Sequence, residues 1–541
     1  MENSWNLEQL NTFDKSVLIT LILEQQEIIK KQTAQIEELN KKMDLLLESL
    51  AIMRNDKFGR KSEAHMVDEN QVSFFNEAEF EASKFNGIEP TITEVVPSYD
   101  RKKKGKRDID LSGFKVTVVP HEIPDEKLKE LFPKGYKHLP DEIYRKLEFH
   151  PATYEVIEHH IKIYAEKNGD KIVKAPHPKE MIDKSIASPS LVAAIINAKY
   201  TNAVPLYRQE KEFERNEVNI SRQVMANWII RTSERYLSLV YDKMKEELLK
   251  SPVTHADETP VIVNKDGREG THKNYMWVYR SGERCESNPV IIYDYRKERK
   301  AEHPREFLKD YKGTLICDGY QVYHSLSAER PDELKVAGCW THAKRHFSNA
   351  LKAAKKKDSS IDEKKTLAYK AESQISNIYH VDNLLSDLTP DERLKQRQIT
   401  VKPLVEAFFA WVKAHQDEVL PSSATGSGFT YCINQESYLK QFLNDGLIPL
   451  DNNPAERAIR PFCIGKKNWE MIDTVNGANA SAMLYSIVET CKANDIKIYE
   501  YLEHLLTEIP KYVDGTDLSF LDDLLPWSKN LPDKCRKKKL S

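Results

Sequence analysis

Along the first sixty residues apolar side chains recur at alternating steps of four and three: Leu18, Ile22, Ile29, Ile36, Leu39, Met43, Leu46, Leu50 and Met53, with Gln25 and Gln32 completing the series. That spacing predicts one long helix over residues 1-60 with a narrow apolar seam, stopping near Gly59. Heptad position a then falls at 22, 29, 36, 43 and 50, and position d holds Gln25, Gln32, Leu39, Leu46 and Met53. The combination suits a parallel two-stranded coiled coil in which the glutamines set the register. A homodimer through residues 18-53 is the expectation, with an intrachain helical hairpin as the alternative.

The period disappears over residues 61-113. Pro90 and Pro97 interrupt an acidic stretch, and Arg101-Lys-Lys-Lys-Gly-Lys-Arg107 follows. This is a linker whose basic run either neutralises phosphates or is simply solvated. Helical pattern dominates residues 181-250. Ser188-Pro189, Pro205 and Ser221 open three helices, the third running from Arg222 to Arg235. The layout fits a helix-turn-helix, with Arg222, Gln223 and Asn227 at the groove-facing start of the third helix. A plain packing bundle with Trp228 and Ile229 in its core fits equally.

From Pro252 the period changes to two. Val253 to Val263, Tyr275 to Tyr279, Pro289 to Tyr293 and Thr314 to Asp318 read as strands, with a helix near Pro304 to Tyr311 before the fourth. Strand, strand, strand, helix, strand, with Asp257 on the first strand and Asp318 ending the fourth, is the layout of a ribonuclease-H-like fold. The predicted class is α/β. Residues 251-350 and 447-495 form the catalytic domain, and 351-446 form a long, mainly helical insertion in which Leu404, Phe408 and Trp411 mark an amphipathic helix. Residues 496-541 form a C-terminal helical segment and a frayed basic tail, Lys534 to Lys539.

Composition narrows the function classes. A chain of 541 residues corresponds to three or four domains at about 150 residues each, and 40% hydrophobic with 30% charged residues supplies real cores together with much solvated helix. Lysine plus arginine (81) nearly cancels aspartate plus glutamate (84), so polyanion binding must rest on local patches. No apolar run is long enough to span a bilayer, and the N-terminus lacks a basic region before an apolar one, so no membrane association and a cytoplasmic location are expected. Seven cysteines without a Cys-x-x-Cys pair read as reduced thiols. No Walker loop is present, which disfavours an ATP-driven motor.

Asp257 and Asp318 would meet across neighbouring strands, as metal-assisted phosphodiester chemistry requires of hard oxygen ligands. A third carboxylate is expected from a later helix. Glu456, in Leu450-Asp-Asn-Asn-Pro-Ala-Glu-Arg-Ala-Ile-Arg-Pro461, stands at helical spacing from Asn453, Arg457 and Arg460. The same residues also spell a capping box with Asn453 as N-cap and Glu456 three residues on, and the pattern leaves both readings open.

Taken together, His255-Ala-Asp-Glu-Thr259, Cys317-Asp-Gly-Tyr320, Gly338-Cys-Trp-Thr-His-Ala-Lys-Arg345, Asp451-Asn-Asn-Pro-Ala-Glu-Arg-Ala-Ile-Arg-Pro461 and Ile464-Gly-Lys-Lys-Asn-Trp469 resemble blocks of the insertion-sequence-66 family of bacterial transposases, DDE-type enzymes. Phe58 to Glu63 and Ala480 to Lys492 look like further family segments. The resemblance implies that Asp257, Asp318 and Glu456 are the catalytic, metal-binding triad, using two Mg2+ ions with Mn2+ as a substitute. It implies cleavage at insertion-sequence ends followed by strand transfer into target DNA, with accessory proteins of the same element as further partners. Arg222, Gln223, Arg345, Arg457, Arg460, Lys466 and Lys467 are the expected DNA contacts. The family's zinc module corresponds to residues 114-180, which here contain no cysteine; His121, His150, His159, His160 and His177 do not replace it, so zinc is not expected. Cys339, His342 and His346 have ligand-like spacing, but a helix beginning near Trp340, serving DNA contact or packing, explains them more simply. Two other readings remain: a non-catalytic DNA-binding coiled-coil regulator derived from a transposase, and a structure-selective nuclease.

Overall fold

The computed structural model describes residues 179–270, 272–357 and 361–537, together with 153–165, 172–176 and the short stretches 14, 23, 25–32, 126–127 and 133. Residues 23 and 25–32 are helical, with Leu23, Ile28 and Ile29 exposed. The rest of the predicted seam, the basic run at 101–107 and most of 114–180 lie outside the described residues. The chain divides into two compact units, residues 60–178 with 537–541 forming one and 1–59 with 179–536 the other. Of the first, an antiparallel hairpin of Ile163–Ala165 and Ile172–Lys174 is described.

The second unit is a mixed α/β structure with a helical majority. From residue 179 it runs through α1 (Pro189–Tyr200), α2 (Leu206–Arg215) and α3 (Arg222–Thr232). Ser188 and Ser221 accept from Leu191 and Val224 backbone N–H groups, the N-caps read from sequence. The third helix does not stop at Arg235 as expected. It passes through a π turn, Ser233–Leu237, and continues as α4 (Ser238–Leu248), because Tyr236, Leu237, Val240, Met244 and Leu248 carry its apolar stripe on into the core.

Five strands form the main sheet: β1 (Val253–Lys265), β2 (Lys273–Ser281), β3 (Ile291–Arg296), β4 (Gly313–Cys317) and β5 (Leu334–Gly338). The spatial order is β3-β2-β1-β4-β5, the first two pairings antiparallel and the last two parallel. Between β3 and β4 the short α5 (Glu302–Phe307) ends earlier than its predicted limit at Tyr311, and α6 (Gln321–Glu329) links β4 to β5. The strand β5, Leu-Lys-Val-Ala-Gly, was not anticipated: five residues ending in Gly338 carry too little alternation to announce a strand. A sixth, short strand, β6 (Ile472–Thr474), pairs with the far end of β1.

Both faces of the sheet are covered. Ala256, Leu315, Cys317 and Val336 belong to one apolar cluster, shared with α1, α3, α4, α13 (Val475–Ala493) and α14 (Ile498–Tyr512). Val253, Ile316 and Ala337 point the other way, as strand alternation dictates, into a second cluster. That cluster is built by α7 (Trp340–Lys357) and the insertion helices α8 (Leu367–Asn383), α10 (Lys402–His415) and α11 (Ala424–Leu439), with α9 (Pro390–Gln396) following α8 in the chain. Phe408 is buried there, with Leu404 and Trp411 packed beside it. Strand β3 is an edge, and α13 closes it: the Thr490 hydroxyl bonds both backbone groups of Ile291 at 3.0 Å, and the Ser486 hydroxyl accepts from Tyr293 N–H at 2.7 Å. The C-terminal tail is not frayed through residue 536. Cys535 is buried, its carbonyl accepts from Lys497 N–H at 2.7 Å, and Arg536 bridges to Ile496.

One buried ion pair ties the insertion to the chain that follows it. Arg397, fully buried, bonds Asp382 at 2.7 and 3.0 Å and donates to the carbonyls of Phe442, Asp445 and Ile448. Arg393 similarly reaches Gly446. Asp382→Ala would leave a buried guanidinium uncompensated, so a loss of about 3–5 kcal/mol is expected, read as a lower midpoint of chemical denaturation. An unchanged midpoint would dismiss the pair as a staple.

Candidate active site

The parallel register pairs His255 of β1 with Ile316 of β4. Two residues further along each strand come Asp257 and Asp318, side by side where β4 ends. Gly319 adopts a φ of 95° there, and a side chain at that position would press on Tyr431 and Gln435. The chain therefore turns away and leaves the Asp318 carboxylate beside Asp257, with Tyr431 donating to the Asp318 carbonyl at 3.1 Å and Tyr320 N–H to its carboxylate at 3.1 Å.

The third acid arrives on α12 (Asn453–Trp469), which lies over β1. Asn452, fully buried, anchors its start: its amide donates to the Ala256 carbonyl at 2.7 Å, its side-chain oxygen meets His255 Nδ1 at 3.0 Å, and its backbone N–H reaches Cys339 Sγ at 3.2 Å. Further along, Cys463 meets Thr259 and Lys466 Nζ donates to the Pro260 carbonyl at 2.7 Å. Glu456 lies between these anchors. The capping-box reading fails: the N-cap is Asn452, one residue earlier than the sequence suggested, so Glu456 is one position beyond the place that could bond back to it. Its carboxylate accepts instead from Arg345 Nη2 at 3.0 and 3.3 Å, and His342 Nε2 stands 3.9 Å away.

Electrostatics link these acids. Burial pushes the Asp257 carboxyl up to about 8, and the negative charges of Glu258, Asp318 and Glu456 add to the rise. Glu258 was not singled out in the sequence because alternation sends it to the opposite face of β1 from Asp257. It is nevertheless part of the group: burial and Asp318 push it up to about 7 against the opposing Arg299. Arg299 forms an ion pair with Glu258, lies 4.0 Å over the Tyr320 ring, and its carbonyl accepts from the Tyr320 hydroxyl at 2.9 Å. A connected path thus runs from Glu258 through Arg299 and Tyr320 to Asp318. Nothing local in Arg296-Lys-Glu-Arg299 distinguishes this arginine from a solvated one.

Among the described residues, no three His, Cys, Asp or Glu side chains stand close enough to hold a metal ion as they are. Glu456 is engaged by Arg345. The donor chemistry itself, the carboxylates of Asp257 and Asp318 at the end of β4, fits a hard divalent cation.

The remaining predicted contacts divide into two places. Arg345 is on α7, and Arg457, Arg460, Lys466 and Lys467 are on α12 with Glu456. Arg457, Arg460 and Lys467 are exposed, and Arg457 bonds Glu283 at 2.9 Å. Arg222 and Gln223 are exposed at the start of α3, with the Arg222 guanidinium over the Tyr207 ring and Trp228 and Ile229 buried behind.

A pH dependence follows from Asp257. The carboxyl loses its proton near 8 in the fold and near 3.9 in the unfolded chain. The folded state therefore holds the extra proton between those values, and stability falls as pH rises from about 4 to about 8. Asp257→Asn removes that loss. The metal-free variant should be more stable than wild type at pH 8, by on the order of a few kcal/mol, with the advantage shrinking toward pH 4. Thermal melts across that range check it, and a difference flat with pH would refute the assignment.

The model of the transposase IS66 family matches residues 184–480, and that of the IS66 C-terminal element matches 486–527. The uncharacterized protein y4qI of Sinorhizobium fredii (strain NBRC 101917 / NGR234) is 26% identical over 515 residues, covering 90% of this chain and 89% of its own. The uncharacterized protein y4hP of the same organism is 25% identical over 397 residues, covering 72% and 71%. Asp257, Asp318, Arg345 and Glu456 all fall inside the first matched segment, and the chain belongs to the IS66 family of transposases.

Proposed function

We propose that the protein cuts DNA at the ends of its insertion sequence and joins the freed 3′-hydroxyl to target DNA, using Asp257, Asp318 and Glu456 as its acidic triad. The observation that carries the reading is the convergence of Asp318 and Glu456 on the charge of Asp257, from segments far apart in the chain. The β3-β2-β1-β4-β5 order, antiparallel then parallel, supports a ribonuclease-H-like domain interrupted by a helical insertion.

In this proposal Asp257, Asp318 and Glu456 would hold divalent cations, with Mg2+ the expected ion. When bound, such cations supply Lewis acidity, aligning the oxygen nucleophile and offsetting charge at phosphorus. The chain's own groups do the rest. Arg345, freed from Glu456, turns its guanidinium to a phosphate oxygen. Arg457, Arg460 and Lys467 hold the strand along the outer face of α12, and Arg222 and Gln223 contact duplex further away. Tyr320 and Tyr431 keep Asp318 oriented. A homodimer through residues 18-53, work in the bacterial cytoplasm and accessory proteins of the same element complete the proposal. A non-catalytic DNA-binding regulator is the second reading, favoured by the Arg345–Glu456 pair.

The test uses purified protein, Mg2+ and a labelled duplex bearing the element's end. Asp257→Asn, Asp318→Asn and Glu456→Gln should each lower cleavage by about 100-fold or more while still binding the duplex. Binding without cleavage by the wild-type protein itself would select the regulator. Arg299→Lys, which breaks the path from Glu258 to Tyr320, should weaken Mg2+ affinity by about 10-fold or more, measured by titration calorimetry; unaltered affinity would detach Arg299 from the site.

A further inference from the structure

Helix α7 differs in charge from the chain around it. The protein as a whole carries a formal charge of −3, yet the 18 residues of α7 hold five lysines, one arginine and no acid. Packing sorts those residues by face. Ala343, Phe347, Ala350 and Leu351 enter the second apolar cluster. On one flank Thr341 meets Tyr379 and Ser348 bonds Glu372, both on α8; on the other, His346 lies beside Ser427 and Tyr431 of α11. At about 3.6 residues per turn the face left over carries Arg345, Asn349, Lys352 and Lys356, at steps of four, three and four, and all of them are exposed.

Two of the lysines have local reasons for their positions. Lys355 pairs with Glu363 at 3.2 Å, and Lys356 stands in the last turn, where the helix dipole favours a cation. Neither reason covers Lys352. It precedes the last turn and stands three and four residues before those two lysines, a spacing at which like charges oppose the helix. A self-repelling row on an exposed face suits a polyanion.

Its place in the fold says which part of the polyanion. The Asn452 N–H reaches Cys339 Sγ and the Trp340 N–H donates to the Leu450 carbonyl, so α7 and α12 start side by side at the acids. From there they part: α12 packs Ala458, Ile459 and Phe462 into one apolar cluster and α7 packs into the other, on the opposite face of the sheet. A strand whose scissile phosphate lies at the acids continues in two directions. The outer face of α12 takes one of them, and the row on α7 leads the other way, with Arg345 at its head beside Glu456.

Resting on the DNA-cleaving reading above, we propose that the α7 row binds the phosphate backbone of the DNA that flanks the element, on the side of the cut that α12 leaves uncovered. From Arg345 to Lys356 the helix rises about 16 Å at about 1.5 Å per residue, the axial length of about five nucleotides at about 3.4 Å each. Lysine and asparagine on phosphates read no sequence, which suits a flank that changes with every insertion site. The flank, unlike target DNA, is covalently joined to the phosphate being cut and so passes within this distance of the acids.

The probe is a series of duplexes of the element's end with flanks from none to about ten base pairs, bound with Ca2+ replacing Mg2+ to keep the strand intact and read by fluorescence anisotropy. Wild-type affinity should rise severalfold as the flank lengthens to about five base pairs and then level off. Lys352→Gln and Asn349→Asp should each remove most of that rise while binding the unflanked duplex as wild type does, Lys352→Arg should keep it, and circular-dichroism melts should verify that the variants fold. On the longest flank Lys352→Gln should also reduce the slope of log affinity against log salt by about 0.9, the loss of one phosphate contact. Variants that respond to the flank as wild type does, or that lose affinity equally with and without it, overturn the flank site and leave the cleavage reading standing. So does a loss confined to capture of target DNA by the unflanked duplex, which assigns the row to the target instead. Failure of wild type to bind any of the duplexes removes both readings.

Discussion

Mutual repulsion among carboxylates is the constraint around which this structure is organised. Asp257 and Glu258 are buried and raised in proton affinity, Asp257 by burial and by the negative charges of Glu258, Asp318 and Glu456, and Glu258 by burial and by that of Asp318. Such a gathering opposes folding, and the chain offsets it with two guanidiniums placed on opposite flanks. Arg299 answers Glu258, and Arg345 answers Glu456. Both positive groups are partly exposed, so neither is locked, and each stands where an incoming cation or phosphate would change its balance. A site strained by its own charge is ready to bind countercharge.

The helical insertion matters for the same reason. It separates the strands that carry the aspartates from the helix that carries Glu456, so the position of that helix depends on how the intervening chain folds back. Arg393 and Arg397 gather the returning carbonyls from Phe442 to Ile448, and four residues later Asn452 locks onto β1. The geometry of the third acid is therefore inherited from a second apolar core, built around Phe408, Phe429 and Phe442. Long separation in sequence is bridged by rigid packing.

Much of this was legible in the sequence where a residue's local surroundings decide its fate. Ser188 and Ser221 cap helices because nothing remote competes for their hydroxyls, and the alternation from Val253 to Val263 marks a strand because one face must be buried. Where remote partners decide, the pattern misled or was silent. Asn453 looked like the N-cap of α12, but its neighbour Asn452 is drawn into β1 and takes the position. The helix expected to end at Arg235 runs on because its apolar residues find a core that local propensity does not record. Glu258, Arg299 and His255 acquire their meaning from residues tens to hundreds of positions away, and the strand at 334–338 is too short to advertise itself.

The hydroxyls of Ser486 and Thr490 along β3 carry a consequence of their own. Unsatisfied strand borders invite foreign strands, and chains so exposed stack into insoluble aggregates. By occupying those donors and acceptors from within, the helix closes that border of the sheet to strands of other molecules.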